Sequence, residues 1–120
     1  MDSLCRPELK GFDCTDFDPI DQWMPSSPAE VCYPLCLHIG LAGQAGSDIF
    51  YVEIVTPEAV GQRKLPLDKR HLVVTPYSWP GVLGQVQHIL ESIQAATWEE
   101  CAEGLSRFFR WEFEDYRAGC

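Results

Sequence analysis

The chain has 120 residues, 46% of them hydrophobic and 12% aromatic, a single-domain length that should bury roughly two-thirds of its unfolded surface. This composition excludes an intrinsically disordered chain. Eighteen Asp and Glu against nine Lys and Arg give a formal charge of −9, which argues against direct contact with nucleic acid or an anionic membrane and suits a basic protein partner.

No apolar run reaches the ~20 residues of a membrane span. The opening MDSLCRPELK has no basic region followed by an apolar one, so no secretory signal is expected and the cytoplasm is the expected location. The six cysteines, at 5, 14, 32, 36, 101 and 120, are then expected to be reduced. Cys32 and Cys36 would share a face on either a strand or a helix, which makes a metal pair conceivable, but there is no CxxC, and His38, His71 and His88 show no ligand spacing. No metal or cofactor is expected, and Cys14, Cys36 and Cys101 read as small buried hydrophobes.

Residues 1–12 offer Leu9 and Phe12 as core contacts of a short, loosely held strand. Asp13, Asp16, Asp18 and Asp21 then fall within nine residues, interleaved with Phe17, Pro19 and Ile20. That pattern predicts a loop with its apolar residues turned inward and its carboxylates in water. Four clustered carboxylates focus a field that attracts a basic partner. A calcium loop fits poorly, because neither the turn glycine nor the closing Glu is in place. Trp23–Pro28 is turn material.

The first strong strand is Val31–Gly40, with Tyr33, Leu35, Leu37 and Ile39 on one face. Pro34 cannot donate to a ladder and belongs at a strand start, a bulge or an edge. Gly40, Gly43 and Gly46 match no phosphate-loop pattern and read as a hairpin connection over Leu41–Asp48. Ile49–Thr56 follows as an antiparallel strand with Phe50, Val52 and Ile54 inward and Tyr51 and Glu53 outward. Pro57 ends it. Glu58–Arg63 reads as a helical turn, residues 64–70 (KLPLDKR) are the chain's basic run, and His71–Thr75 is a third, β-branched strand.

Pro80–Ala96 carries Val82, Leu83, Val86, Ile89, Leu90 and Ile93 on one helical stripe, capped by Ser78. Gly84 lies inside it, at a cost of about 1 kcal/mol, where it would permit close approach to the sheet. A second helix starts at Thr97, an N-cap that forms a capping box with Glu100. Trp98, Cys101, Ala102, Leu105, Phe108 and Phe109 form its stripe, about three turns long. Glu99 and Glu100 complement the positive end of its dipole, and Arg107 and Arg110 the negative end. From Trp111 the period becomes two, predicting a short edge strand or extended tail with Glu112, Glu114 and Tyr116 on one side and Trp111, Phe113 and Asp115 on the other. The economical architecture is one α+β domain spanning 1–120, a largely antiparallel sheet with two amphipathic helices packed on one face and a tail at 117–120.

The segments Thr97-Trp98-Glu99-Glu100, Leu105-Ser106-Arg107 and Trp111–Tyr116, with Ile39-Gly40 and Phe50–Pro57, resemble immunity family eight of bacterial polymorphic toxin systems over about residues 18–116. The resemblance implies a small intracellular protein that binds and neutralises a cognate toxin domain, often a nuclease. At Phe108-Phe109-Arg110 the chain departs from the more polar, glycine-containing turn of that pattern, which leaves the helix end unfixed.

No nucleophile with its base, metal constellation or carboxylate pair of opposed acidity is legible, so no catalysis is expected. The expected partner is the C-terminal domain of a cognate toxin, with Asp16, Asp18, Asp21, Glu112, Glu114 and Asp115 as contacts and Trp23 and Tyr116 as anchors. The Asp16–Asp21 loop is the stronger choice, since motif residues such as Glu112, Glu114 and Asp115 also suit a role in the scaffold. The alternative is an acidic adaptor or regulatory domain that binds a basic protein or peptide.

Overall fold

The period-two run that begins near Val31 forms the longest strand, β2 (Cys32–Leu41), and its alternation decides the whole architecture. Tyr33, Leu35, Leu37 and Ile39 are buried, while Pro34 is exposed and Cys32, Cys36 and His38 are half-buried. One face of the sheet is therefore core and the other is open along much of its length. The computed structural model describes residues 4–62 and 70–112, residues 60–62 by backbone alone.

β1 (Pro7–Asp13) pairs antiparallel with β2, its register shifting between Leu9 and Gly11. β3 (Asp48–Val55) pairs antiparallel with the other edge of β2, setting Leu37 opposite Phe50 and Leu35 opposite Val52. The hairpin between them turns on Gly43 and Gly46, both in the left-handed region at φ +81° and +95°. Gly40 serves a different end, because a Cβ there would lie 2.2 Å from the Gly46 carbonyl oxygen. Only glycine lets the loop fold back so closely.

α1 (Pro57–Gln62) follows β3, and β4 (His71–Val73) then pairs parallel to it. This parallel pair is the exception in an otherwise antiparallel sheet. β5 (Arg110–Trp111) pairs antiparallel with the other half of the same β3 edge, so β3 is flanked on both sides. Among the described residues the fold is α+β, with five strands and three helices.

The core face is covered by α2 (Trp79–Glu91) and α3 (Trp98–Leu105), which contribute Val82, Val86, Leu90, Ala102 and Leu105 to one cluster with the strand residues. Ser78 caps α2 through Gly81 N–H, as expected. The helix stops at Glu91, short of Ala96, and Ile93 packs instead against Gly104 of α3, where a Cβ would lie 3.2 Å from its Cδ1. Gly84 has nothing within 4 Å of its missing Cβ, so it faces solvent and permits no approach to the sheet. Cys5 ties the N-terminal segment to the α2–α3 connection by backbone hydrogen bonds in both directions with Ala95.

Thr97 caps α3, accepting from Glu100 N–H at 3.2 Å. The return half of the box is altered, since the Glu100 carboxylate accepts from the Thr97 hydroxyl and not from its amide. The helix is shorter than its stripe implied. Ser106 turns its hydroxyl back onto the Ala102 carbonyl at 2.8 Å, and Arg70 Nε donates to the Ser106 carbonyl at 3.0 Å, so the helix end is closed by side chains. The chain then turns, leaving Phe108 exposed, Phe109 buried, Arg107 in the turn and Arg110 in β5. Neither arginine sits in the last turn of α3, because the helix ends before either is reached.

Candidate partner-binding surface

The acidic stretch is held by its apolar residues. Phe17 stacks on Trp23 with ring centroids 3.9 Å apart, and both rings meet Tyr33 edge-on. Ile20, in a single 3₁₀ turn (Ile20–Gln22), is buried. These contacts leave Asp16, Asp18 and Asp21 exposed on an anchored loop. Trp23 belongs to the anchor, since it also lies edge-on to Tyr77 at 5.5 Å and is half-buried.

Beneath this cluster the hydroxyls of Tyr33 and Tyr77 are 2.9 Å apart and buried. Burial raises both phenols above their ordinary range, and for Tyr33 the shared hydrogen bond adds to the effect. Cys14, buried beside them, is one of the small hydrophobes expected from the sequence. Cys101 is another, its thiol raised chiefly by burial. Cys36 differs, because its place on β2 puts it half-exposed on the open face.

Glu112 sits at the far side of that face. Its backbone N–H donates to the Ile49 carbonyl at 2.9 Å, and its own carboxylate accepts from Ile49 N–H at 2.5 Å, prolonging the β3–β5 ladder by a side chain. Part of its charge thus serves the scaffold. Phe113, Glu114, Asp115 and Tyr116 lie outside the described residues.

Two shallow hollows cross the open face, of about 540 and 570 Å³, and they share Pro34 and Tyr51. One extends toward Asp13 and Asp18, the other toward Glu53, Arg70, Arg110 and Glu112. Tyr51 is 45% exposed, although it stands on a strand paired along both edges. The sequence placed Tyr51 and Glu53 outward. Nothing in it showed that Asp13, Asp18, Pro34 and Tyr51 would meet, because that needs the β1–β2–β3 register.

The open face also brings together a carboxylate, a thiol and an imidazole. His38 Nε2 is 3.4 Å from Asp13 Oδ2, and Cys36 stands opposite Asp13 in the ladder. Burial, then the charges of Asp13 and Glu112, push the Cys36 thiol upward. A cysteine nucleophile needs the reverse shift, so this group has the composition of a thiol site without its electrostatics.

The family known as immunity protein 8 matches residues 7–116, from the first residue of β1 to beyond β5. The chain belongs to that family. None of the curated proteins matches it, and no solved structure does. Membership implies a toxin protein as the partner of this immunity protein. Among the described residues no helix is long and apolar enough to cross a membrane.

Proposed function

We propose that this immunity protein neutralises one cognate toxin C-terminal domain in the cytoplasm of the producing cell, by covering it and without any chemistry of its own. The observation that carries the reading is the family match over residues 7–116. The charge of −9 supports the kind of partner, a toxin with a cationic working surface such as the one a nuclease uses to grip phosphates. Asp16, Asp18 and Asp21 supply the steering field from a loop already fixed by Phe17, Ile20 and Trp23, so little ordering cost falls on binding. Glu112 adds charge from the β5 end of the same open face, and Glu114, Asp115 and Tyr116 are further contacts in this reading.

Co-expression with a candidate toxin domain, sought first among the neighbouring genes, tests the reading. Growth should be restored when the immunity protein is supplied and should not be restored by an immunity protein of a different toxin. Equal poisoning with and without it would refute the reading. The association rate should fall steeply between low and high salt.

A further inference from the structure

We infer that the toxin docks on the open face of the sheet, setting an apolar side chain over Pro34 and Tyr51 and a lysine or arginine beside Asp13 and Asp18. The inference rests on the proposed neutralising function and says where it is performed. The two hollows share Pro34 and Tyr51 as a common floor, so a partner laid across them meets one continuous surface. That floor is preorganised, because β2 and β3 are each hydrogen-bonded on both edges and Tyr51 stands at their centre. An exposed aromatic fixed on a rigid strand is the kind of residue that carries binding energy, since little is lost in ordering it.

Charge selects the occupant. The side toward β1 carries Asp13 and Asp18 with no cation among its lining residues, so it favours a basic group. The side toward β5 balances Glu53 and Glu112 against Arg70 and Arg110 and would accept polar contacts of either sign. The surface thus combines an acidic end for encounter with an aromatic centre for residence, in line with the basic partner that the net charge favours. On the opposite side of the molecule the exposed residues of α2 include Gly84, Gln87, His88 and Glu91, a polar face with no comparable aromatic floor.

The test measures binding of the purified toxin domain to the wild-type protein and its variants. Tyr51→Ala should speed dissociation by about 30-fold, the scale of a hot-spot truncation. Asp13→Lys with Asp18→Lys should slow association by about tenfold at low salt, and Glu91→Lys on α2 should leave both rates within about twofold of wild type. A photo-reactive benzoylphenylalanine at position 51 should cross-link the toxin, and one at position 91 should not. That readout holds even if Tyr51→Ala is found to unfold. Wild type that binds no toxin defeats the neutralising function and this inference together. Wild type that binds while both open-face variants bind as it does, or while only position 91 cross-links, overturns the docking face and leaves the function standing.

Discussion

The indole N–H of Trp98 and that of Trp111 end on the same oxygen, Oδ2 of Asp48, at 2.9 and 3.0 Å. One carboxylate at the start of β3 thereby joins the first residue of α3 to β5, around a Phe50 ring that stacks with Trp111 and meets Trp98 and Phe109 edge-on. Asp48→Ala should cost about 2 kcal/mol, since hydrogen bonds to an ionised acceptor are among the stronger ones. Asp48→Asn should recover much of the loss. Urea unfolding of the two variants measures both.

Thr56 makes a second tie across the chain. Its hydroxyl accepts from the Val31 amide at 2.9 Å and donates to the Ala29 carbonyl at 2.6 Å, while its own amide bonds the Val31 carbonyl. Thr56→Val keeps the shape and leaves a buried Val31 N–H unpaired, so a loss of about 2 kcal/mol is expected. A loss under about 0.5 kcal/mol in the same measurement would show that the tie contributes little.

Two glycines should respond in opposite directions. Gly84→Ala adds a methyl to open space on an exposed helix face and should stabilise by about 0.5–1 kcal/mol. Gly40→Ala drives a Cβ into the Gly46 carbonyl and should lower the thermal midpoint by displacing the hairpin. Thermal unfolding of the two variants should move their midpoints apart from wild type on opposite sides.

The buried Tyr33–Tyr77 pair predicts an alkaline limb of stability. Both phenols are raised in the folded state, so their contribution is intact below the unfolded value near pH 10 and is lost as pH rises above it. Changing both residues to Phe removes the pair without leaving a lone hydroxyl. The double variant should be within about 1 kcal/mol of wild type at pH 7 and should lose less stability between pH 9 and 11.

The sheet and helices were legible because their signals are local. Alternation in β2 and β3, the glycines of the hairpin and the caps Ser78 and Thr97 each act within a few residues. The end of α3 was not, because its closure depends on Arg70, which is 36 positions from Ser106, and on Asp48 receiving Trp111 from 63 positions away. Phe108 and Phe109 have equal claims to a helical stripe, but with the helix ended at Leu105 the chain turns so that Phe109 goes in and Phe108 out. For the same reason the sequence did not show that Trp23, read as an anchor for the partner, also packs against Phe17, Tyr33 and Tyr77. The open-face surface depends on register throughout, so residues from three strands and a loop carried no shared signal in the sequence.

The central claim is inhibition by occupancy, and a titration of toxin activity tests it most directly. With the toxin domain at a concentration well above the dissociation constant, activity should fall linearly as this protein is added and reach zero at a fixed molar equivalence. Loss of toxin activity at a small fraction of that equivalence, continuing with time, would mean that each molecule acts on many toxin molecules and would contradict the account.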